Sequence, residues 1–297
     1  MSILSKMDYF VEHDICHTKI GLGVMTFLRK TRISRNVRKM LVFRMMDSGI
    51  YLFSDELKDA KVFFAQNQNR VEKICSWLSD EESRDTYRRA IEFRCSLKRH
   101  NLPKYYSEDQ QYFDKIVKLS DREVFIDCGA YIGDTVDQFR KIVHNKYKRI
   151  VCFEPDYQNY EMLLKKKIEK LIAFNAGVWS ENSELAFVSD NATSSKVLTD
   201  TENNIEKVRV CAIDMIQECS DASFIKMDVE GSEFPALQGA KKTILHNTPK
   251  LAICIYHSNE DMLRIAEYIH DLVPDYKLYI RHYSYEAYET VLYAIKD

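Results

Sequence analysis

Residues 125–135 read Phe125-Ile126-Asp127-Cys128-Gly129-Ala130-Tyr131-Ile132-Gly133-Asp134-Thr135. An apolar run stops at a glycine, turns, and opens into a helix-forming segment. That is a strand, a glycine turn and a helix start. Gly129 lets the backbone turn tightly. Gly133 lets a ligand approach the helix N-terminus, where free N–H groups point outward. A dinucleotide fingerprint at such a place reads G-x-G-x-x-G, with the pyrophosphate on those N–H groups. Here Asp127 replaces the first glycine. Its carboxylate repels a pyrophosphate and suits a cationic ligand carrying an ammonium group.

Working outward, short apolar runs alternate with helical patterns. The runs at 123–127, 149–153, 171–175, 223–227 and 250–256 predict strands, and the segments near 133–143, 157–169, 232–245 and 260–271 predict helices. Near-continuous apolar strands separated by helices mean a parallel sheet covered on both faces. Two last strands, 276–280 and 288–294, follow with only a short connection, which predicts an antiparallel hairpin at the end of an α/β fold. Extra strand-like pieces at 184–189 and 207–211 predict a hairpin or flap over the sheet.

Three further stretches bring chemistry to the carboxyl edge of that sheet, where open α/β folds bind ligands. Strand two ends in Phe153-Glu154-Pro155-Asp156, and Glu154 lies 21 residues after Gly133. An acid at about that spacing accepts hydrogen bonds from a ribose diol. The run Ile225-Lys226-Met227-Asp228-Val229-Glu230-Gly231 delivers two carboxylates. Asp228 and Glu230 are placed to accept a proton, hold a hydroxyl or bind a hard cation. Glu233 reads as a first-turn helix charge. The next strand ends in Ile255-Tyr256-His257. A neutral imidazole there is a candidate general base. His282 is a weaker candidate, and His144, His246 and His270 read as surface residues.

The chain has 297 residues, 45% hydrophobic and 30% charged, with only 8 glycines and 5 prolines. Disorder, collagen and coiled coil are excluded on that composition. The net charge of -2 hides an asymmetry. Residues 1–105 carry 20 Lys and Arg against 13 Asp and Glu, whereas 106–297 carry 23 against 32. The division predicts two regions with different jobs, a mainly helical N-terminal cap over 1–105 and an α/β domain over 106–297. Asn101-Leu102-Pro103 marks the boundary, because proline disfavours helix at the residue before it. Ser79-Asp80-Glu81-Glu82 closes one helix and caps the next. Arg29, Lys30, Arg32, Arg35, Arg38, Lys39 and Arg44 cluster with no acid between them. The cluster suits a phosphate-bearing ligand or a peripheral membrane surface. No aromatic-and-basic platform accompanies it, so nucleic acid is not expected.

Eight cysteines occur without a CxxC pair, several inside apolar runs. They read as buried reduced thiols in a cytoplasmic protein. No run of 18 apolar residues is present, so no transmembrane segment is expected.

FIDCGAYIGDT at 125–135, VCFEPD at 151–156, IKMDVEGSEFPALQGA at 225–240 and LAICIYHSNEDML at 251–263 together resemble the FkbM family of class I S-adenosylmethionine-dependent methyltransferases. The resemblance runs over residues 121–295, and its most specific part is DVEG followed by E and L-x-G-A. It implies a Rossmann-like, seven-stranded methyltransferase sheet, mostly parallel, with an antiparallel terminal hairpin. It also implies S-adenosyl-L-methionine as cofactor and a hydroxyl acceptor on a sugar, glycan or related metabolite.

Carried over by residue, Asp127, Gly129, Ala130, Tyr131 and Gly133 hold the methionine portion, with Asp134 and Thr135 beside it. Glu154 and Pro155 lie at the ribose, and Asn175 and Ala176 against the adenine or its linker. Ser194 and Ser195 fall near the site. Asp228 and Glu230 face the sulfonium and the acceptor, and His257 or Asp228 takes the hydroxyl proton. The residues leave open a divalent cation at Asp228 and Glu230. They leave open the acceptor and the oligomeric state as well. Two other readings compete: an NAD-dependent oxidoreductase on a similar fold, which Asp127 and the missing G-x-G-x-x-G oppose, and a non-catalytic binding protein that kept the fold.

Overall fold

The computed structural model describes residues 57, 59–96, 111–189, 195–198, 206–284 and 287–296. The basic cluster at 29–44 and the Asn101-Leu102-Pro103 boundary lie outside them. The chain divides into two compact units. The smaller takes its described helices from 59–76 and 80–96 and adds Ile280–Thr290; the larger comprises Trp77–Ser79, Asp109–Tyr279 and Val291–Asp297.

In the smaller unit, helices α1 (Ala60–Gln66), α2 (Gln68–Trp77) and α3 (Glu81–Ser96) follow one another closely. The Asp80 carboxylate caps α3 by accepting from the Ser83 amide at 2.7 Å. Glu81 and Glu82 fill the first turn, where acids complement the helix dipole. The stop and restart expected at Ser79–Glu82 is present. Asp80 and Glu82 also hold the buried Arg281 guanidinium, at 2.7 and 3.2 Å.

The larger unit is built on a seven-stranded sheet of order β10-β11-β9-β8-β1-β2-β3. Its strands are β1 (Val124–Cys128), β2 (Arg149–Phe153), β3 (Leu171–Phe174), β8 (Phe224–Met227), β9 (Lys250–Cys254), β10 (Lys277–His282) and β11 (Thr290–Ile295). β3, β2, β1, β8 and β9 pair in parallel, and β11 joins β9 antiparallel. The mostly parallel α/β sheet with an antiparallel end is the one expected. β1 and β8 are buried along their whole length, which is why their sequences read as unbroken apolar runs. Phe125 of β1 stacks on Phe224 of β8, with centroids 5.0 Å apart, and Phe139 lies 4.6 Å from Phe125.

Helices α4 (Asp134–Ile142), α5 (Tyr157–Lys165) and α8 (Asp261–Leu272) fall where the periodicity puts them. α4 turns Val136 and Phe139 inward, with Asp134 and Asp137 in its first turn and Arg140 and Lys141 in its last. The helix expected over 232–245 is two: α6 (Glu233–Gly239) and α7 (Lys241–Asn247). A Cβ on Gly239 would stand 1.9 Å from the Trp179 carbonyl oxygen. The glycine thus lets that backbone pass close at the point where the helix breaks.

The strand-like pieces at 184–189 and 207–211 are β5 (Ser183–Ser189) and β7 (Glu206–Cys211). With β4 (Gly177–Val178) and β6 (Ser195–Leu198) they form a second sheet of order β4-β7-β5-β6. Ser195 opens β6, and Ser194 lies outside the described residues. The seven described cysteines are free, and six of them are buried. Among the described residues, no helix is long and apolar enough to cross a membrane.

Candidate active site

The site is assembled where β1, β2, β3, β8 and β9 end. The turn after β1 alternates left-handed residues: Gly129, Tyr131 and Gly133 have φ of 77°, 47° and 80°. A Cβ on Gly129 would stand 1.9 Å from the Asp228 carbonyl oxygen, so only glycine lets the two strand ends close together. At Gly133 a Cβ would meet Leu163 Cδ1 of α5 at 2.5 Å. Its lack of a side chain therefore serves helix packing as well as any ligand. Gly133 stands at the N-cap of α4; Asp134 is exposed there and Thr135 is buried.

The second strand supplies Glu154, which is buried. One carboxylate oxygen accepts from the Tyr131 amide at 2.7 Å and the other from the Asp156 amide at 2.9 Å. Gly129 and Ala130 donate to the Phe153 carbonyl, at 3.0 and 3.1 Å. The end of β2 thus holds the whole glycine turn. Burial pushes the Glu154 carboxyl up to about 7, against the pull of the two amides. Asn175 donates to the carbonyls of Glu154 and Pro155, at 3.0 and 2.9 Å, which ties the end of β3 to the end of β2. Ala176 is buried beside it in sequence.

Asp127 was expected to face a ligand's ammonium group. It is fully buried, and the ammonium it meets is the chain's own: Lys226 Nζ lies 3.0 Å from its Oδ1. Strand register explains the meeting, because Asp127 of β1 is paired with Lys226 of β8, and paired residues of parallel strands share a face. Lys226 also donates to the carbonyls of Cys128 and Gly129, at 3.2 and 2.8 Å. Burial pushes the Asp127 carboxyl up to about 6 despite Lys226. Burial opposes the Lys226 charge, but Asp127 and Asp228 outweigh it and hold that ammonium well above its usual value.

At the end of β8, Asp228 accepts hydrogen bonds from the hydroxyls of Tyr112 and Tyr256, at 2.7 and 3.0 Å. Its side chain keeps 22% of its surface exposed. Burial acts against its charge, but Lys226, His257 and the two hydroxyls hold the carboxyl below the usual range. Glu230 follows in a left-handed turn, φ 54°, with Gly231 at φ 93°.

His257 is buried among carboxylates. Its Nδ1 lies 3.0 Å from Glu233, and its Nε2 lies 3.6 Å from Asp228 and 3.5 Å from Glu230. Burial alone would lower its pKa, but Glu233 and Glu230 raise it well above the usual value. The carboxylates around it therefore favour the protonated form over the neutral imidazole expected at this strand end.

Glu233, read from sequence as a first-turn helix charge, does lie in the first turn of α6, where it is fully buried and accepts from the Val229 amide at 2.7 Å. The sequence paired Asp228 with Glu230 as cation ligands. The group whose ligand atoms converge within 4.8 Å is Asp228, Glu233 and His257. Of the other histidines, His270 stacks on Trp77 with centroids 3.9 Å apart, and His282 is buried with Nδ1 2.9 Å from Thr290 Oγ1. Both make structural contacts.

Sequence reasoning missed Lys226, Tyr112, Tyr256 and Glu233. A lysine inside Phe-Ile-Lys-Met was the available signal, because a charge on a buried strand needs a partner.

Known proteins share the family and the fold. The model of the Methyltransferase FkbM domain matches residues 127–286. The fold is similar to the crystal structure of a methyltransferase FkbM from Methylobacillus flagellatus KT. That match has a TM-score of 0.72 and 23% identity, covering 89% of this chain and 72% of that one. Weaker matches include an rRNA methylase from Streptococcus thermophilus, with a TM-score of 0.38 and 13% identity over 60% of this chain and 89% of that one. Another is Aeropyrum pernix fibrillarin in complex with S-adenosyl-L-methionine, with a TM-score of 0.35 and 10% identity over 60% of this chain and 70% of that one. No curated protein matches the chain. The sheet order, the glycine turn after β1 and the match over 127–286 lead to one family: the chain belongs to the FkbM methyltransferases.

Proposed function

We propose that this chain uses S-adenosylmethionine to methylate a hydroxyl of a sugar, a glycan or a related metabolite. The observation that carries the reading is Asp228. It is an ionised, partly exposed carboxylate at the end of a central strand, oriented by two tyrosine hydroxyls and packed against the glycine turn.

The residues fit the cofactor. Glu154 is a buried carboxylate whose oxygens each take one amide, which leaves lone pairs for the hydroxyls of a ribose. Its raised carboxyl gains from such donors. The cofactor, when bound, supplies an electrophilic methyl group with a neutral sulfide as leaving group. Asp127, Gly129, Ala130, Tyr131 and Gly133 would hold its methionine portion, Asp127 by fixing the turn through Lys226. Asp134 and Thr135 would lie beside it, Glu154 and Pro155 at the ribose, and Asn175 and Ala176 at the adenine.

Little acid–base help is needed, so alignment of the acceptor is the main task. Asp228 takes the acceptor's hydroxyl proton. It is placed ahead of His257 in that role, because His257 Nδ1 is engaged with Glu233 at 3.0 Å and its Nε2 stands 3.6 Å from Asp228 and 3.5 Å from Glu230. Glu230, at the rim, orients the acceptor. The free, mostly buried cysteines support a reducing cytoplasmic setting. The basic stretch between Arg29 and Arg44 supports an acceptor bearing phosphate, or one carried at a membrane surface.

Calorimetry with S-adenosylmethionine and with NAD tests the cofactor. Binding of NAD but not of S-adenosylmethionine would overturn the reading. Full turnover by Asp228→Asn on the true acceptor would overturn the assignment of the base.

A further inference from the structure

We infer that Asp228, Glu233 and His257 form a binding site for one first-row divalent cation of the Mn2+, Fe2+, Co2+ or Zn2+ class. The inference deepens the methyltransferase reading and rests on it only for what the ion does once bound.

Each of the three residues offers one ligand atom, and these atoms lie within 4.8 Å of one another; His257 would bind as the neutral imidazole, the ion displacing the proton that the carboxylates otherwise favour. Ligands about 2.1 Å from a shared ion stand about 3 to 4.2 Å apart, so the trio needs only a small contraction to close on one. The second observation is unsatisfied chemistry inside the cluster. Glu233 is 0% exposed, and its Oε2 has no hydrogen-bond partner. Glu233 Oε1 is already held by the Val229 amide, which fixes the carboxylate and leaves Oε2 as the unused donor. Neither ring nitrogen of His257 makes a well-formed hydrogen bond, although both face carboxylate oxygens at 3.0 to 3.6 Å. A buried acceptor without a donor is costly and calls for an explanation. A cation between the three groups supplies one.

The donor set chooses the class of ion. Mg2+ and Ca2+ favour all-oxygen shells, and thiolates would favour softer metals. One imidazole with two carboxylates suits Mn2+, Fe2+, Co2+ or Zn2+. Three protein ligands leave coordination positions open, as catalytic rather than structural sites do. Asp228 is also the carboxylate that faces the acceptor in the reading above. An ion on it would bind the acceptor's hydroxyl and acidify it. The Val229 amide and the β8–α6 turn act from behind, orienting Glu233 as outer groups orient metal ligands elsewhere.

The test is made on tag-free, chelator-treated full-length protein. Mn2+ and Zn2+, each alone, are titrated, with electron paramagnetic resonance for free Mn2+ and calorimetry for Zn2+. One ion per chain is expected, with affinity at least about tenfold weaker in Glu233→Gln and in His257→Gln. If Glu233→Gln does not fold, His257→Gln carries the comparison. Absence of one-to-one uptake of either ion up to millimolar concentration overturns the inference. So does equal affinity in the wild type and the folded variants. S-adenosylmethionine binding is measured on the same protein. Cofactor binding without metal uptake sinks the metal site alone. Metal uptake without cofactor binding sinks the methyltransferase reading alone.

Discussion

Asp127 and Lys226 stand opposite each other on neighbouring parallel strands, their charged atoms 3.0 Å apart with the lysine 2% and the aspartate 0% exposed. The two ends of this pair are not equivalent. Lys226 has other oxygen partners in the carbonyls of Cys128 and Gly129, and Asp228 is near, whereas neither oxygen of Asp127 has another hydrogen-bond partner. Lys226→Met strands a buried carboxylate and should cost about 3–5 kcal/mol. Asp127→Asn leaves the ammonium with its carbonyls and should cost less. Urea denaturation of the two variants checks this, and equal losses would contradict the asymmetry. The double variant should recover part of the Lys226→Met loss, because no buried charge is left unpaired.

The two strand-end glycines separate conformational strain from collision. Gly129 and Gly231 both have positive φ, 77° and 93°. A Cβ on Gly231 has His257 Cβ as its nearest neighbour at 3.7 Å, an ordinary contact. A Cβ on Gly129 would enter the Asp228 carbonyl oxygen at 1.9 Å. Gly231→Ala should therefore cost about 1–3 kcal/mol, the strain of a left-handed alanine. Gly129→Ala carries the same strain and must also separate β1 from β8, so it should lose more than about 4 kcal/mol or fail to fold. Thermal melts of the two proteins rank them, and similar midpoints would refute the collision.

These contacts mark the limit of sequence reading. β1, β2, β8 and β9 were legible because strands buried on both faces are written as continuous apolar runs. Asp228, Glu230 and His257 were legible as positions because they end such runs. Glu233 was not, because a first-turn acid and a buried acid look alike until α6 is folded above His257. Tyr112 was equally hidden. It lies 116 residues before the Asp228 it touches, and no local period joins them. The backbone that passes close at Gly239, beside the helix break, is that of Trp179, sixty residues earlier, and the periodicity of 232–245 carries no sign of it. The protonation of His257 was equally out of reach, since the carboxylates that raise its pKa are brought to it only by folding.

The two tyrosines give a test of how Asp228 is oriented. Tyr112 and Tyr256 donate to different oxygens of its carboxylate, Oδ2 and Oδ1. Hydrogen bonds to charged groups contribute about 1.5–3 kcal/mol each. Removing one frees the carboxylate to rotate away from the acceptor. Tyr112→Phe and Tyr256→Phe should each lower kcat about tenfold or more, with S-adenosylmethionine affinity nearly unchanged. The double variant should lose less than the product of the two, because a carboxylate already released has little order left to lose. Steady-state kinetics beside calorimetry reads both effects. A rise in cofactor Kd with kcat intact would move these hydroxyls to the cofactor side.

Glu154 predicts a pH dependence with a definite sign. Its carboxyl is raised to about 7 in the folded chain, against an ordinary value of 4.5, and burial is the main cause. A raised acid favours the folded state while protonated. Its contribution is therefore complete below about pH 4.5 and is lost as the pH climbs through about 7. Ribose hydroxyls donating to the carboxylate favour the opposite, ionised form. Cofactor affinity should thus weaken as the pH falls below about 7, by at most tenfold per unit, and level off above it. Glu154→Gln has no proton to exchange. It should bind the cofactor more weakly at pH 8 with a flattened pH profile, while its stability at pH 8 equals or exceeds that of the wild type. Calorimetric titrations from pH 6 to 8 and urea melts at pH 8 measure the two arms. An unchanged pH profile in Glu154→Gln would remove Glu154 from the cofactor site, and a large stability loss at pH 8 would show that its two amide bonds outweigh the cost of burying the charge.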